Sequence, residues 1–237
     1  MKILMIIPAY NEEGNIVNTV SQIKKYKKID LDYVVINDGS RDNTNNIIID
    51  NNINYVDLSN NLGIGAAVQT GYKYAYYNDY DIAIQFDGDG QHDINYVDRL
   101  IDSIVKEKCD MVVGSRFVGN ESGFKSTRSR RIGINILSFI IKLFTKQTLK
   151  DVTSGYRAVN KELIKRFALD YVFEYPEPIT NLDVIKCGYK VKEVAVNMKE
   201  REHGVSSINF KKSIYYMFNV GLAMLILGIG GSKKWWN

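Results

Sequence analysis

Apolar, strand-like runs alternate with stretches of helical periodicity through the first half of the chain, and no other feature limits the fold as much. The runs cover residues 2–8, 33–37, 53–58, 81–86 and 110–116. Between them, residues 12–26 carry Ile16, Val20 and Ile23 at helical spacing, and residues 40–52, 63–77 and 94–106 read as further helices. This alternation predicts an α/β fold, a mostly parallel sheet with helices on both faces. Ligands of such sheets gather at the carboxyl ends of the strands. Those ends carry Tyr10, Asn11 and Glu12, then Asp38, Gly39 and Ser40, then Asp87, Gly88 and Asp89, then Gly114, Ser115 and Arg116.

The second half breaks the pattern. Residues 132–146 are apolar except for a narrow stripe of Asn135, Ser138, Lys142 and Thr145, so a helix there must bury most of its girth in protein or lipid. Residues 214–231 are almost wholly apolar, interrupted by Asn219. As a helix they reach about 27 Å, the short end of a membrane span. Lys211, Lys212, Lys233 and Lys234 bracket this segment, and Trp235 and Trp236 follow it as interfacial anchors do. The expectation is membrane association, peripheral or through a short C-terminal anchor. A plain core helix is the competing reading.

A chain of 237 residues, 45% hydrophobic, suits one generous globular domain with a small appendage. The net charge of +4 is mild and gives no reason to expect nucleic acid, although Lys125, Arg128, Arg130 and Arg131 cluster. Cys109 and Cys187 lie far apart without metal-ligand spacing, which argues against a disulfide framework or a zinc site. The opening "MKILMIIPAYNEE" reaches acidic residues too soon for a signal peptide, so the bulk of the protein is expected in the cytosol.

The acids of "IAIQFDGDGQHD" admit three readings: a polar turn, a helix cap, or a metal site. Asp87 and Asp89 can point the same way, and Gly88 and Gly90 permit a sharp turn and close approach of a ligand. Two carboxylates beside a phosphate suit a hard cation such as Mg²⁺ or Mn²⁺, and Gln91 can add a neutral oxygen. Asp93 is placed to cap the helix that follows. Asp38 could accept from a nucleobase N–H or a ribose hydroxyl, or merely belong to a capped loop. Gly63 and Gly65 precede a helix without completing a dinucleotide fingerprint and are expected to permit close packing near a nucleotide. No phosphate-binding GxxxxGK[ST] loop occurs.

The segments "IIPAYNEEGNI", "VINDGSRDNT", "NLGIGAAVQTGY", "FDGDGQHD", "GSRF", "DVTSGYRA" and "EREHGVSSI", in this order, resemble the family 2 glycosyltransferases of Rossmann-like GT-A fold. The nearest branch in appearance is the dolichyl- or polyprenyl-phosphate sugar transferases. The resemblance spans residues 1–210 and implies a catalytic domain there, including an amphipathic helix near 131–147, with residues 211–237 as a membrane-associating tail. It implies that Pro8, Tyr10, Glu12, Asp38, Gly65, Asp87 and Gly88 bind the nucleotide, and that Asp87, Asp89 and Gln91 hold Mg²⁺ or Mn²⁺ on the diphosphate. Asp89, Arg116 and Arg201 would be catalytic, Arg201 closing on the diphosphate with Ser206 and Ser207 beside it. Arg116, Arg128 and Arg131 would meet the acceptor phosphate, with Arg130 at the membrane edge.

The expected reaction is inverting transfer of a sugar, from a UDP-sugar by preference, to undecaprenyl phosphate on the cytosolic membrane face. A small membrane-protein partner or a homo-oligomer would complete the anchor. A phosphate acceptor is already anionic and needs no general base, whereas a saccharide hydroxyl does. Glu174 or Glu177, in "FEYPEPITNLD", would be that base or would bind the sugar, on a segment that Pro176 and Pro178 are expected to hold extended. His92 reads as a structural neighbour of the acidic loop. A non-catalytic nucleotide-sugar-binding scaffold on the membrane is the reading from another class.

Overall fold

The computed structural model describes residues 1–119, 128–199 and 210–230. The first half follows the expected alternation: β1 (Ile3–Ala9), α1 (Ile16–Lys25), β2 (Asp32–Asn37), α2 (Thr44–Asp50), β3 (Tyr55–Asp57), α3 (Ile64–Tyr77), β4 (Ile82–Gln85), α4 (Val97–Val105) and β5 (Met111–Ser115). Then come α5 (Arg128–Thr145), β6 (Arg157–Asn160), α6 (Lys161–Leu169), α7 (Pro176–Lys186), β7 (Val191–Ala195) and α8 (Phe210–Ile229).

The sheet runs β3-β2-β1-β4-β6-β5-β7. Its pairings are parallel except at β6, which lies antiparallel between β4 and β5 and sets Arg157 directly opposite Gln85. β1 is buried along its whole length, as its unbroken apolar run requires of a central parallel strand. One core packs under α1 and α4, where Ile16, Val20, Ile23, Val97, Leu100 and Ile101 recur on the helices' inner faces. The other face of the sheet carries α3, α5, α6, α7 and α8.

Several expectations need correction. α1 starts at Ile16 and α2 at Thr44, later than the periodicity suggests. The polar segments before them are spent on each other: the Asn11 N–H donates to Ser40 Oγ, the Arg41 N–H to Asn11 Oδ1, and the Glu12 N–H to Thr44 Oγ1. Pro176 and Pro178 do not hold their segment extended. They occupy the first turn of α7, where a missing N–H costs nothing, after Tyr175 has turned through a left-handed φ of 50°.

The tail is not set apart at 210 either. α8 buries Val220 and Met224 in the same core as Ile134, Leu137 and Ile141 of α5. Lys186, at the end of α7, donates through Nζ to the carbonyls of Leu227, Gly228 and Gly230, 2.7 Å each, and so caps the end of α8. Among the described residues no helix is long and apolar enough to cross a membrane. Lys211, Lys212, Lys233, Lys234, Trp235 and Trp236 have side chains outside the described residues.

Candidate active site

The acidic loop leaves β4 at the centre of the sheet. Gly88 lies on the end of β1, its N–H donating to the Pro8 carbonyl at 3.2 Å; a Cβ there would stand 2.9 Å from that oxygen. Thr19 Oγ1 donates to the Gly88 carbonyl from α1, and Gly90 makes the turn with φ 75°. The Asp87 N–H donates to His92 Nδ1 at 3.1 Å, which leaves the imidazole proton on Nε2, 3.5 Å from Asp87 Oδ2. His92 is itself locked, buried and stacked on Tyr156 with centroids 4.7 Å apart. It is therefore the structural neighbour expected. Asp89 Oδ1 accepts from the Gln91 N–H, and Asp93 caps the following turn by accepting from the Asn95 N–H at 3.0 Å.

Two glycines keep the space at Asp87 clear. Besides Gly88, Gly155 faces the carboxylate so closely that a Cβ would lie 2.7 Å from Asp87 Oδ2. This donor set fits a small hard cation that takes further oxygens from a diphosphate. Among the described residues no cluster of three or more His, Cys, Asp or Glu closes around a point without such help. The Lys199 N–H donates to the Gln91 carbonyl at 2.8 Å, and the Gln91 side-chain amide donates back to the Lys199 carbonyl. Arg201, Ser206 and Ser207 lie outside the described residues.

Pro8, Tyr10, Glu12 and Asp38 stand with the acidic loop at one edge, the carboxyl ends of β1, β2 and β4. Tyr10 is exposed there, and Glu12 Oε2 accepts from Asn15 Nδ2. Asp38 is engaged within the protein: it is buried, and its oxygens accept from the Leu62 and Gly63 N–H groups at 2.8 and 2.9 Å. Its carboxylate pins the loop before α3. Gly65 serves packing, since a Cβ there would strike the carbonyl oxygens of Val172 and Phe173.

Arg116 departs from expectation. It is 4% exposed, and its Nε and Nη2 each donate to Asp151 at 2.7 Å, with Nη2 reaching Thr153 as well. The Arg116 N–H bonds the same carboxylate at 2.9 Å. The fork that would grip a phosphate thus ties β5 to the segment before β6. Asp151→Asn is expected to destabilise the protein by about 3–5 kcal/mol, because it strands a buried guanidinium; urea unfolding measures it. Arg131 lies with its guanidinium 3.8 Å over the Phe117 ring, and its Nη1 is buried without a hydrogen-bond partner among the described residues. Arg130 stands near Arg116, Asp151 and Tyr216. Arg128 opens α5, and its side chain is outside the described residues.

Of the two glutamates, Glu174 is exposed and Glu177 is half-buried. The Gln85 amide donates to Asp87 Oδ1 at 3.0 Å and also bonds Glu177. Burial pushes the Glu177 carboxyl above its usual range, against the pull of the nearby Arg157 cation. Gly155, Arg157 and Gln85 gather around Asp87 and were not among the expected candidates. The only signal for the first two was their place in "DVTSGYRA".

The fold and the acidic loop together define the GT-A class. A solved structure of the same architecture is glucosyl-3-phosphoglycerate synthase from Mycobacterium tuberculosis, in complex with Mn²⁺, uridine-diphosphate-glucose and phosphoglyceric acid. Its TM-score is 0.72 at 17% identity, covering 98% of this chain and 81% of that one. At that identity the likeness shows the fold alone. Residues 5–167 match the family model described as Glycosyl transferase family 2, and the chain belongs to that family: it is a glycosyltransferase. Similar proteins include UDP-N-acetylglucosamine–dolichyl-phosphate N-acetylglucosaminyltransferase of Methanococcus voltae, 34% identical over 69% of this chain and 71% of that one. Another is the undecaprenyl-phosphate mannosyltransferase of Micrococcus luteus, 25% identical over 88% of each chain.

Proposed function

We propose that the protein transfers a sugar, with inversion, from a UDP-sugar to a polyprenyl phosphate at the cytosolic surface of a membrane. The observation that carries this reading is an apolar plate that ends at the acidic site. α5 and α8 run parallel: Gly133 packs on Met217, and Gly228 on the Phe144 ring. Both bury one side in the same core, so their opposite sides look the same way. That outward side carries Ile132, Ile136, Phe139 and Leu143 of α5 beside Phe218, Leu222, Ile226 and Ile229 of α8, each 48% to 81% exposed.

The plate leads to the chemistry. Tyr216, near the start of α8, meets Tyr175 edge-on with centroids 4.5 Å apart, and Tyr175 immediately precedes α7 and Glu177. Arg130 and Arg131 lie in the first turn of α5 at this same end. An acceptor whose isoprenoid chain lies along the plate would present its phosphate to these arginines, with Arg201 a further candidate for the diphosphate. Two of the relatives act on lipid phosphates by name, which supports the same reading.

The chain's own residues divide the work. Pro8, Tyr10 and Glu12 would receive the nucleoside, over a loop that Asp38 keeps in place. Asp87, Asp89 and Gln91 would hold Mg²⁺ or Mn²⁺, which supplies charge neutralisation for the departing diphosphate. The acceptor phosphate is ionised at neutral pH and attacks unaided, so no residue is needed to take its proton.

The raised carboxyl of Glu177 favours a second reading, a saccharide hydroxyl as acceptor with Glu177 as base. Glu177→Gln separates the two. A phosphate acceptor predicts a loss of about tenfold, whereas loss of a general base costs about a hundredfold to ten-thousandfold. The measurement is radiolabel transfer from a panel of UDP- and GDP-sugars into lipid in the presence of undecaprenyl phosphate. No lipid product with any donor would refute the first reading.

A further inference from the structure

Arg157 is the largest fully buried side chain of the protein, 1% exposed, and sits one strand from the acidic loop. Directly opposed residues of an antiparallel pair share a face, so Arg157 and Gln85 point to the same side of the sheet. The guanidinium is only partly used. Nε donates to the Ser154 carbonyl at 2.9 Å and Nη1 to Thr180 Oγ1 at 2.8 Å, but Nη2 is buried with no hydrogen-bond partner among the described residues. Thr180 in turn donates to the Pro176 carbonyl at 2.6 Å, so Arg157 grips the first turn of α7, which carries Glu177. An arginine buried this deeply with a free N–H is costly unless its charge is used nearby.

The strand order says where that charge acts. β1 and β2, which would carry the nucleoside, lie on one side of β4; β6 lies on the other, and Gly155, just before it, meets Asp87 from there. A donor laid across Asp87 would thus have its sugar on the side of Arg157 and Glu177. We propose that Arg157 is a positioning residue whose buried charge, anchored to the first turn of α7 through Thr180, holds Glu177 against the hydroxyl groups of the transferred sugar. The inference rests on the UDP-sugar reading above.

The groups facing Glu177 agree. Gln85 on β4 donates to it, Asp87 repels it, and Tyr72 of α3, Tyr171 after α6 and Tyr216 of α8 are the remaining titratable neighbours. Among the described residues Arg157 is the cation beside Glu177, and it draws the carboxyl back toward its usual range. The Tyr72 and Tyr171 hydroxyls are also buried without hydrogen-bond partners among the described residues.

Calorimetric binding of UDP and of the preferred UDP-sugar to the full chain tests this, with Arg157→Met, Arg157→Gln, Arg157→Lys, Glu177→Gln and the double variant Arg157→Met/Glu177→Gln. Arg157→Met is expected to weaken the UDP-sugar about tenfold and leave UDP, which lacks the transferred sugar, unchanged. Arg157→Gln, which can still bond Thr180 but has no charge, should behave like the Met variant, and Arg157→Lys should recover part of the loss. The double variant should bind the UDP-sugar no worse than Glu177→Gln alone, since one residue acts through the other.

Equal losses for UDP and UDP-sugar, a wild-type-like Gln variant, or losses that multiply in the double variant would each overturn the proposal. If Arg157→Met does not fold, the Lys and Glu177→Gln comparison decides: a Lys variant as weak as Glu177→Gln for both ligands counts against it. Wild-type protein that binds UDP but gains nothing from the sugar would instead overturn the donor assignment, and this inference with it.

Discussion

Asp89→Asn is expected to lower sugar transfer by about a thousandfold while leaving the fold intact. The asparagine keeps the size of the side chain and keeps an oxygen to accept from the Gln91 N–H, so the turn through Gly88 and Gly90 survives. What goes is one of two negative charges at the strand end where Gly88 and Gly155 clear a space beside a carboxylate. Asp87 is the poorer choice for the test, because it is also tied to Gln85 and His92, and its loss would disturb the loop. The variant should need far more Mn²⁺ to reach its residual rate and should bind UDP more weakly in the presence of the ion. An Asp89→Asn enzyme that keeps more than a tenth of the wild-type rate at low Mn²⁺ would remove the acidic loop from the catalytic centre.

Much of this site could be read along the chain because its parts are local. The acids, the glycines around them and the caps lie within a few residues of one another, and the central strands announce themselves by unbroken apolar runs. Distant partners could not be read. Arg116 follows β5 as a phosphate-binding arginine would, but Asp151, 35 residues on, takes its fork. Asp38 ends β2 as a nucleotide-binding acid would, and the backbone N–H groups of Leu62 and Gly63 hold its two oxygens there.

Arg157 escaped notice for a topological reason. β6 is four residues long, "RAVN", with too little alternation to mark it as a strand. Its insertion between β4 and β5 brings Arg157 opposite Gln85. The two prolines of α7 show the opposite error, a strong local signal read in the wrong register. They start a helix here because Tyr175 absorbs the turn before them.

The double substitution Ile136→Glu/Phe139→Glu is expected to abolish binding to vesicles of anionic phospholipid, a loss of about a hundredfold or more in partitioning. Both side chains are more than half exposed, so the change leaves the core of Ile134, Leu137 and Ile141 untouched, and thermal unfolding should stay near wild type. Each residue would otherwise contribute about 1.5–3 kcal/mol on entering the acyl boundary. The carboxylates add repulsion from anionic headgroups, while Lys142, exposed on the same helix, and Lys146, exposed just beyond its end, supply the attraction that remains.

A second double variant, Ile136→Ser/Phe139→Ser, separates apolar burial from charge and should lose most of the same binding. UDP binding should be unaffected in both, because the plate touches the nucleotide side nowhere. Transfer to undecaprenyl phosphate in vesicles should fall with membrane binding. Transfer to a short, water-soluble isoprenyl phosphate should be lost far less, since that acceptor needs the arginines at the start of α5 and not the plate. Vesicle binding that survives the glutamates would show that the outward faces of α5 and α8 meet something other than lipid. Loss of activity equally toward both acceptors would show that the plate supports the site itself and does not only bring it to the acceptor.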